Sequence, residues 1–232
     1  MSMPPIEIRW GGDGWNGGRS RAAAPYVRCA RDLIEMGLDQ AGFVSAVPKT
    51  MTVWRTTERY LQEEEGVTHS ASRFDVNVSI VDVKRRRLGR RVVNLATVGF
   101  HEAVHAVRYE YHAGETLAEL VAGEALAYVG ESRFVNMIGF PNELFDIEEE
   151  VNKLPEELKQ ALYDDLVTEI ANTPGELEYE DYEFWLCQPL PGVGAPPGII
   201  AGIYSLAQQA PQGLSGVAEL VAESPSVVLG IE

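Results

Sequence analysis

Residues 98–112 read VGFHEAVHAVRYEYH and hold three of the four histidines of this 232-residue chain. Two of them, His101 and His105, bracket Glu102 as H-E-x-x-H. Residues four apart project from one face of a helix, so both imidazoles can reach a single metal ion, and zinc accepts such nitrogen ligands. Glu102 falls about 100° round the helix from His101. That puts it beside the open coordination position, where a carboxylate can take the proton of a water made acidic by the metal. The chemistry expected of this trio is hydrolysis by an activated water near neutral pH.

Such a site needs a third protein ligand. Glu124 follows His105 after eighteen intervening residues, on a second expected helix, with Leu117, Leu120, Val121 and Leu126 as its apolar neighbours. A carboxylate among packing residues is costly to bury unless it is paired or bound to a metal. His101, His105 and Glu124 are therefore the expected ligands of one zinc ion per chain, with Glu102 as general base. His112 lies seven residues beyond His105, about 10 Å along the axis of a continued helix, too far to share the ion. The three-histidine metzincin pattern would require glycine and histidine where Arg108 and Tyr111 stand, so it fails at both positions. Of the competing carboxylates Glu115, Glu119 and Glu131, Glu119 points away from the face of Glu124, and Glu131 lies about two turns further along it.

H-E-x-x-H, eighteen residues and a helical Glu is the spacing of the gluzincin metallopeptidases. More narrowly, HEAVHAVRYEYHAGETLAELVAGEALAYVGES (101–132) resembles a bacterial family of predicted zinc-dependent proteases of otherwise unknown function. That family pairs its H-E-x-x-H with a T-L-x-x-x-x-x-x-E-G-L-A helix, which TLAELVAGEALA follows with Ala125 in place of glycine. The close likeness covers about thirty residues, with a weaker one reaching from 74–96 to the C-terminal PPGIIAGIYSLAQ and ESPSVVL stretches. It implies that His101, His105 and Glu124 hold zinc, that Glu102 is the base, and that the substrate is a peptide or protein. Some gluzincins place an aspartate four residues after the ligand Glu to orient a histidine; here that position is Tyr128. Tyr109, Tyr111, Tyr128, Tyr182, Tyr204 and His112 all remain open as donors to a transition-state oxyanion.

Two alternating stretches, IEIRW (6–10) and TMTVWRT (50–56), read as strands. FDVNVSIVDV (74–83), the basic KRRRLGRR (84–91) and VVNLA (92–96) read together as a hairpin or edge pair. An edge at 74–83 or 91–96 could hold an extended peptide. A helix is expected over about 21–36, with Gly37 as its stop. Others are expected from about Ala96 to the HAGET stretch near Gly114, over about 116–129, over 155–171 with Pro155 in its first turn, and near 199–209 and 214–222. Residues 172–198 read as a long ordered loop. The fold class is thus α+β: a small mixed or antiparallel sheet packed on the zincin-type helix and the Glu-bearing second helix, with a helical C-terminal part. The expectation is a single domain over 1–232, sheet-rich over 1–96 and mostly helical over 97–232.

A formal net charge of −16 opposes broad binding to nucleic acid or anionic membrane. The first thirty residues hold no signal-like apolar run, and no stretch of eighteen apolar residues occurs, so a cytoplasmic protein is expected. Cys29 and Cys187 give neither a disulfide framework nor a C-x-x-C pair, and are expected to be buried thiols. GDGWNG (12–17) matches G-x-G-x-x-G, but Glu7 and Arg9 alternate into the preceding strand, unlike the buried first strand of a dinucleotide fold. The run from Lys84 to Arg91 reads as a solvated turn, and the acidic 145–170 stretch as a wet surface. The runner-up function is a zinc-binding but catalytically silent protein-interaction module, and behind it a metal-free interaction protein.

Overall fold

The computed structural model describes residues 3–12, 15, 18–56, 66–79, 88–140, 147–175, 178–209 and 213–231. The protein is α+β, with a four-stranded mixed sheet. Its contacts divide into two compact units, Met1–Glu110 with Phe134–Leu144, and Tyr111–Arg133 with Phe145–Glu232.

The first unit carries the sheet: β1 (Glu7–Trp10), β2 (Thr50–Thr56), β3 (Gly66–Ser70) and β4 (Arg73–Ser79), in the order β1-β2-β4-β3. β1 pairs parallel with β2 and β2 parallel with β4, while β3 returns antiparallel on β4. The register places Met51 beside Phe74 and Val53 beside Val76, all four fully buried. The opposite face carries Thr50, Thr52, Trp54, Arg73, Asp75 and Asn77, polar apart from Trp54.

The covered face meets α2 (Leu88–Arg108), and α1 (Arg19–Ala41) packs on α2. α1 crosses between two parallel strands as a βαβ unit does. β1 is nonetheless an edge strand, which is why Glu7 and Arg9 can alternate along it. α1 runs on to Ala41, four residues after Gly37, and is followed by Gly42 in the left-handed region (φ 82°). Gly37 is not a stop. A Cβ there would lie 2.6 Å from the Phe134 ring and 2.9 Å from that of Phe100, two rings stacked 4.4 Å apart. Glycine admits the two rings against the helix.

The expected hairpin over 74–96 does not form. VVNLA lies inside α2, β4 ends at Ser79, and residues 80–87 lie outside the described residues. The strand paired antiparallel with β4 is β3, joined to it through Ala71 and Ser72. β3 rather than 74–83 or 91–96 therefore forms that edge of the sheet. In the glycine-rich turn, Gly11 and Gly12 face the Trp54 ring, and a Cβ on Gly11 would fall 2.6 Å from it. The buried Trp15 donates its indole N–H to the Val53 carbonyl at 2.9 Å. Residues 13, 14, 16 and 17 of that turn lie outside the described residues.

The second unit is helical: α3 (Leu117–Met137, through Arg133), α4 (Ile147–Asn152), α5 (Glu156–Asn172), α6 (Tyr179–Tyr182), α7 (Pro197–Gln209), α8 (Leu214–Leu220) and α9 (Pro225–Val228). α3 runs about two turns beyond its expected end. The stretch expected as a loop after 172 holds α6 and a π-helical turn, Glu183–Cys187. α7 is the core of this unit, buried from Pro197 to Leu206 and packed against α5 and the π-turn. Gly202 lets it approach α3, since a Cβ would stand 2.7 Å from that of Ala125. Cys29 and Cys187 are both exposed, contrary to the expectation of buried thiols. Among the described residues, no helix is long and apolar enough to cross a membrane.

Candidate metal centre

α2 positions the H-E-x-x-H residues because its apolar side chains recur at helical spacing: Val93, Phe100, Val104 and Val107 are buried. This fixes its rotation against the sheet and α1. His101 and His105 then stand on one face, with ring centroids 4.9 Å apart and Nε2 atoms 3.2 Å apart. Two nitrogens bonded to one tetrahedral zinc at 2.0–2.1 Å stand roughly 3.3 Å apart. The pair already has the separation that a shared ion requires.

Glu102 is only 7% exposed and faces β3. The Thr68 hydroxyl lies 2.7 Å from its carboxylate Oε2 and 2.8 Å from its backbone carbonyl oxygen. Thr68 pairs with Phe74 and Gly66 with Val76, so both sit on the sheet face that α2 covers. At Gly66 a Cβ would fall 2.6 Å from Oε1 of Glu102 and 2.8 Å from its Cδ. The sequence alone singles out neither residue, because GVTHS is short and polar. The alternation of Val67 and His69 outward with Gly66 and Thr68 inward was the available signal.

The half-buried Glu124 lies on α3, flanked by the buried Val121 and Ala125. His101, His105 and Glu124 each offer one ligand atom, and these atoms lie within 4.8 Å of one another. Two imidazole nitrogens and one carboxylate oxygen suit zinc, so the donor set fits the ion that the sequence implied. Among the described residues, this is the one such group of three.

His112 is not part of it. α2 ends at Arg108, and the His112 ring lies in the following segment, with Nε2 3.0 Å from the Ala222 carbonyl and Nδ1 3.5 Å from Glu119. That contact also occupies one of the competing carboxylates. Tyr204 is committed to Gln160 at 2.9 Å, while Tyr109 and Tyr111 are exposed. The Tyr182 phenol is pushed up by burial, then by Cys187 and by the nearby charge of Glu124. Tyr182 stands just before the π-turn.

Comparison with family models, with curated proteins and with solved structures returns no match to this chain. The reading of the site therefore rests on its residues and their geometry.

Proposed function

We propose that this chain is a gluzincin-like zinc peptidase, with His101, His105 and Glu124 as metal ligands and Glu102 as general base. The observation that carries the reading is the 3.2 Å separation of the two Nε2 atoms in an H-E-x-x-H helix. The proximity of Glu124 and the burial of Glu102 beside the pair add to it. When bound, zinc would supply Lewis acidity, polarising the scissile carbonyl and acidifying a water. Glu102 would accept the water's proton at one carboxylate oxygen as the carbon–oxygen bond forms, and then pass it to the leaving nitrogen as the carbon–nitrogen bond breaks. Near Glu102, β3 ends the described sheet, and an extended peptide added along this edge would lie beside the base. The likeness of 101–132 to the predicted bacterial zinc proteases belongs to the same proposal. So does a cytoplasmic setting, consistent with two cysteines that form no framework.

The test is zinc per chain, measured by elemental analysis of untagged protein, together with hydrolysis of fluorescein-labelled casein. About one equivalent is expected in the wild type, with clear loss in His105→Ala and Glu124→Ala. Glu102→Gln should keep the zinc and lose hydrolysis. Retained hydrolysis in that variant would remove Glu102 from its role. Zinc bound with no cleavage across varied peptides would favour the silent interaction module. No tight zinc, even after incubation with the metal, would reduce the histidine pair to an ordinary hydrogen bond between two rings.

A further inference from the structure

Glu102 is buried, yet a base must present one oxygen in a fixed direction while its other oxygen is kept from competing. Oε2 is occupied by the Thr68 hydroxyl at 2.7 Å, whereas Oε1 has no partner among the described residues. The same hydroxyl sits 2.8 Å from the backbone carbonyl oxygen of Glu102, so its single proton is shared between the side-chain tip and the main chain. These contacts turn Oε2 to Thr68 and Oε1 towards Gly66. The absent side chain at Gly66 is what makes room for that oxygen.

We infer that Thr68, on the edge strand, is a positioning residue for Glu102, holding Oε2 so that Oε1 is the proton-accepting oxygen, with Gly66 keeping the space that Oε1 occupies. The inference rests on the peptidase reading for its purpose, but not for its geometry. Thr68 touches neither metal ligand in any contact described above; it acts through Glu102 alone. A base displaced by about 1 Å loses reaction rate without losing substrate, by factors of about 10 to 100.

The test uses the full zinc-loaded chain with Thr68→Val, which keeps the shape and removes the hydroxyl, and Thr68→Ser, which keeps the hydroxyl. Thr68→Ala replaces the valine variant if that one does not fold. Crystal structures of each give the position of the Glu102 carboxylate, and fluorescein-labelled casein gives kcat and KM. The expected result is a Glu102 carboxylate displaced from β3 in Thr68→Val, with zinc content unchanged. In the same variant kcat should fall about 10- to 100-fold at a KM within about twofold, and Thr68→Ser should restore both position and rate. Gly66→Ala should displace the same carboxylate from the other side. An unmoved Glu102 in Thr68→Val, or a serine variant that behaves like the valine one, would overturn the inference. If the wild type leaves casein uncut, the peptidase reading fails on that arm, and the crystallographic comparison still decides the role of Thr68.

Discussion

The end of the H-E-x-x-H helix is anchored by a buried ion pair whose two halves are unequal, and that inequality is measurable. The Lys49 side chain is fully buried; its ammonium meets Glu110 and donates to the Ala71 carbonyl at 2.5 Å. Glu110 is 10% exposed and has further donors in the Ser45 hydroxyl and, at 3.4 Å, the Ala46 N–H. Removing one member of a buried pair costs about 3–5 kcal/mol when the other is stranded. Glu110→Gln strands a cation with only neutral oxygens, so a loss of about 3 kcal/mol is expected. Lys49→Met leaves a carboxylate with two remaining donors and access to water, so a loss of about 1–2 kcal/mol is expected. Urea titrations followed by circular dichroism would give the order from the midpoints at equal slope. Lys49→Met proving equal to or worse than Glu110→Gln would refute the reasoning. There is also a pH signature, because burial holds Lys49 below its usual 10.5 despite Glu110. Between its folded value and 10.5 the unfolded chain binds more protons, so stability from this group rises with pH across that window. The wild type should show that rise relative to Lys49→Met, and a fall would refute the sign.

Gly37→Ala sets an overpacking cost of about 1–3 kcal/mol against a helix gain of about 1 kcal/mol. With the Phe100 and Phe134 rings fully buried, the net should lower Tm by about 2–4 °C, and a raised Tm would mean that the rings yield. At Asp75 burial alone would raise the carboxyl, but hydrogen bonds from Arg73, His69 and Trp54 outweigh it and hold it below its usual 3.8. Its stabilisation is therefore present above 3.8 and lost as pH falls through the lower folded value. Asp75→Asn should flatten the acid limb of the stability curve, and an unchanged limb would dismiss the cluster. Chelation of the zinc-loaded protein should lower Tm reversibly, with no effect in His105→Ala, because a ligand bound only to the folded state stabilises it by mass action.

Local spacing was enough to read the histidine pair, since a helix fixes the relation of residues one to four apart whatever surrounds it. The beginning of that helix was not legible in the same way. Val92 and Val93 suit a strand over five residues, but Val93, Ala96, Phe100, Val104 and Val107, all buried, recur at a helical spacing that shows only over a longer window. Gly37 misled for a related reason: a glycine near a helix end resembles a stop, and only the two rings from distant parts of the chain show why it stands inside α1. β3 is the strongest case. The alternation in GVTHS is too short to establish a strand by itself, and nothing in it announces a partner for Glu102; both follow from its pairing with β4, which turns Gly66 and Thr68 toward α2. What was read correctly depended on neighbours in sequence, and what was missed depended on neighbours in space. The histidine pair is a local pattern on a helix, whereas Thr68, proposed to aim the base, comes from a strand thirty-four positions away from Glu102. Control over such a base is therefore to be looked for on the strand that faces the helix, and Thr68→Val is the variant that measures it.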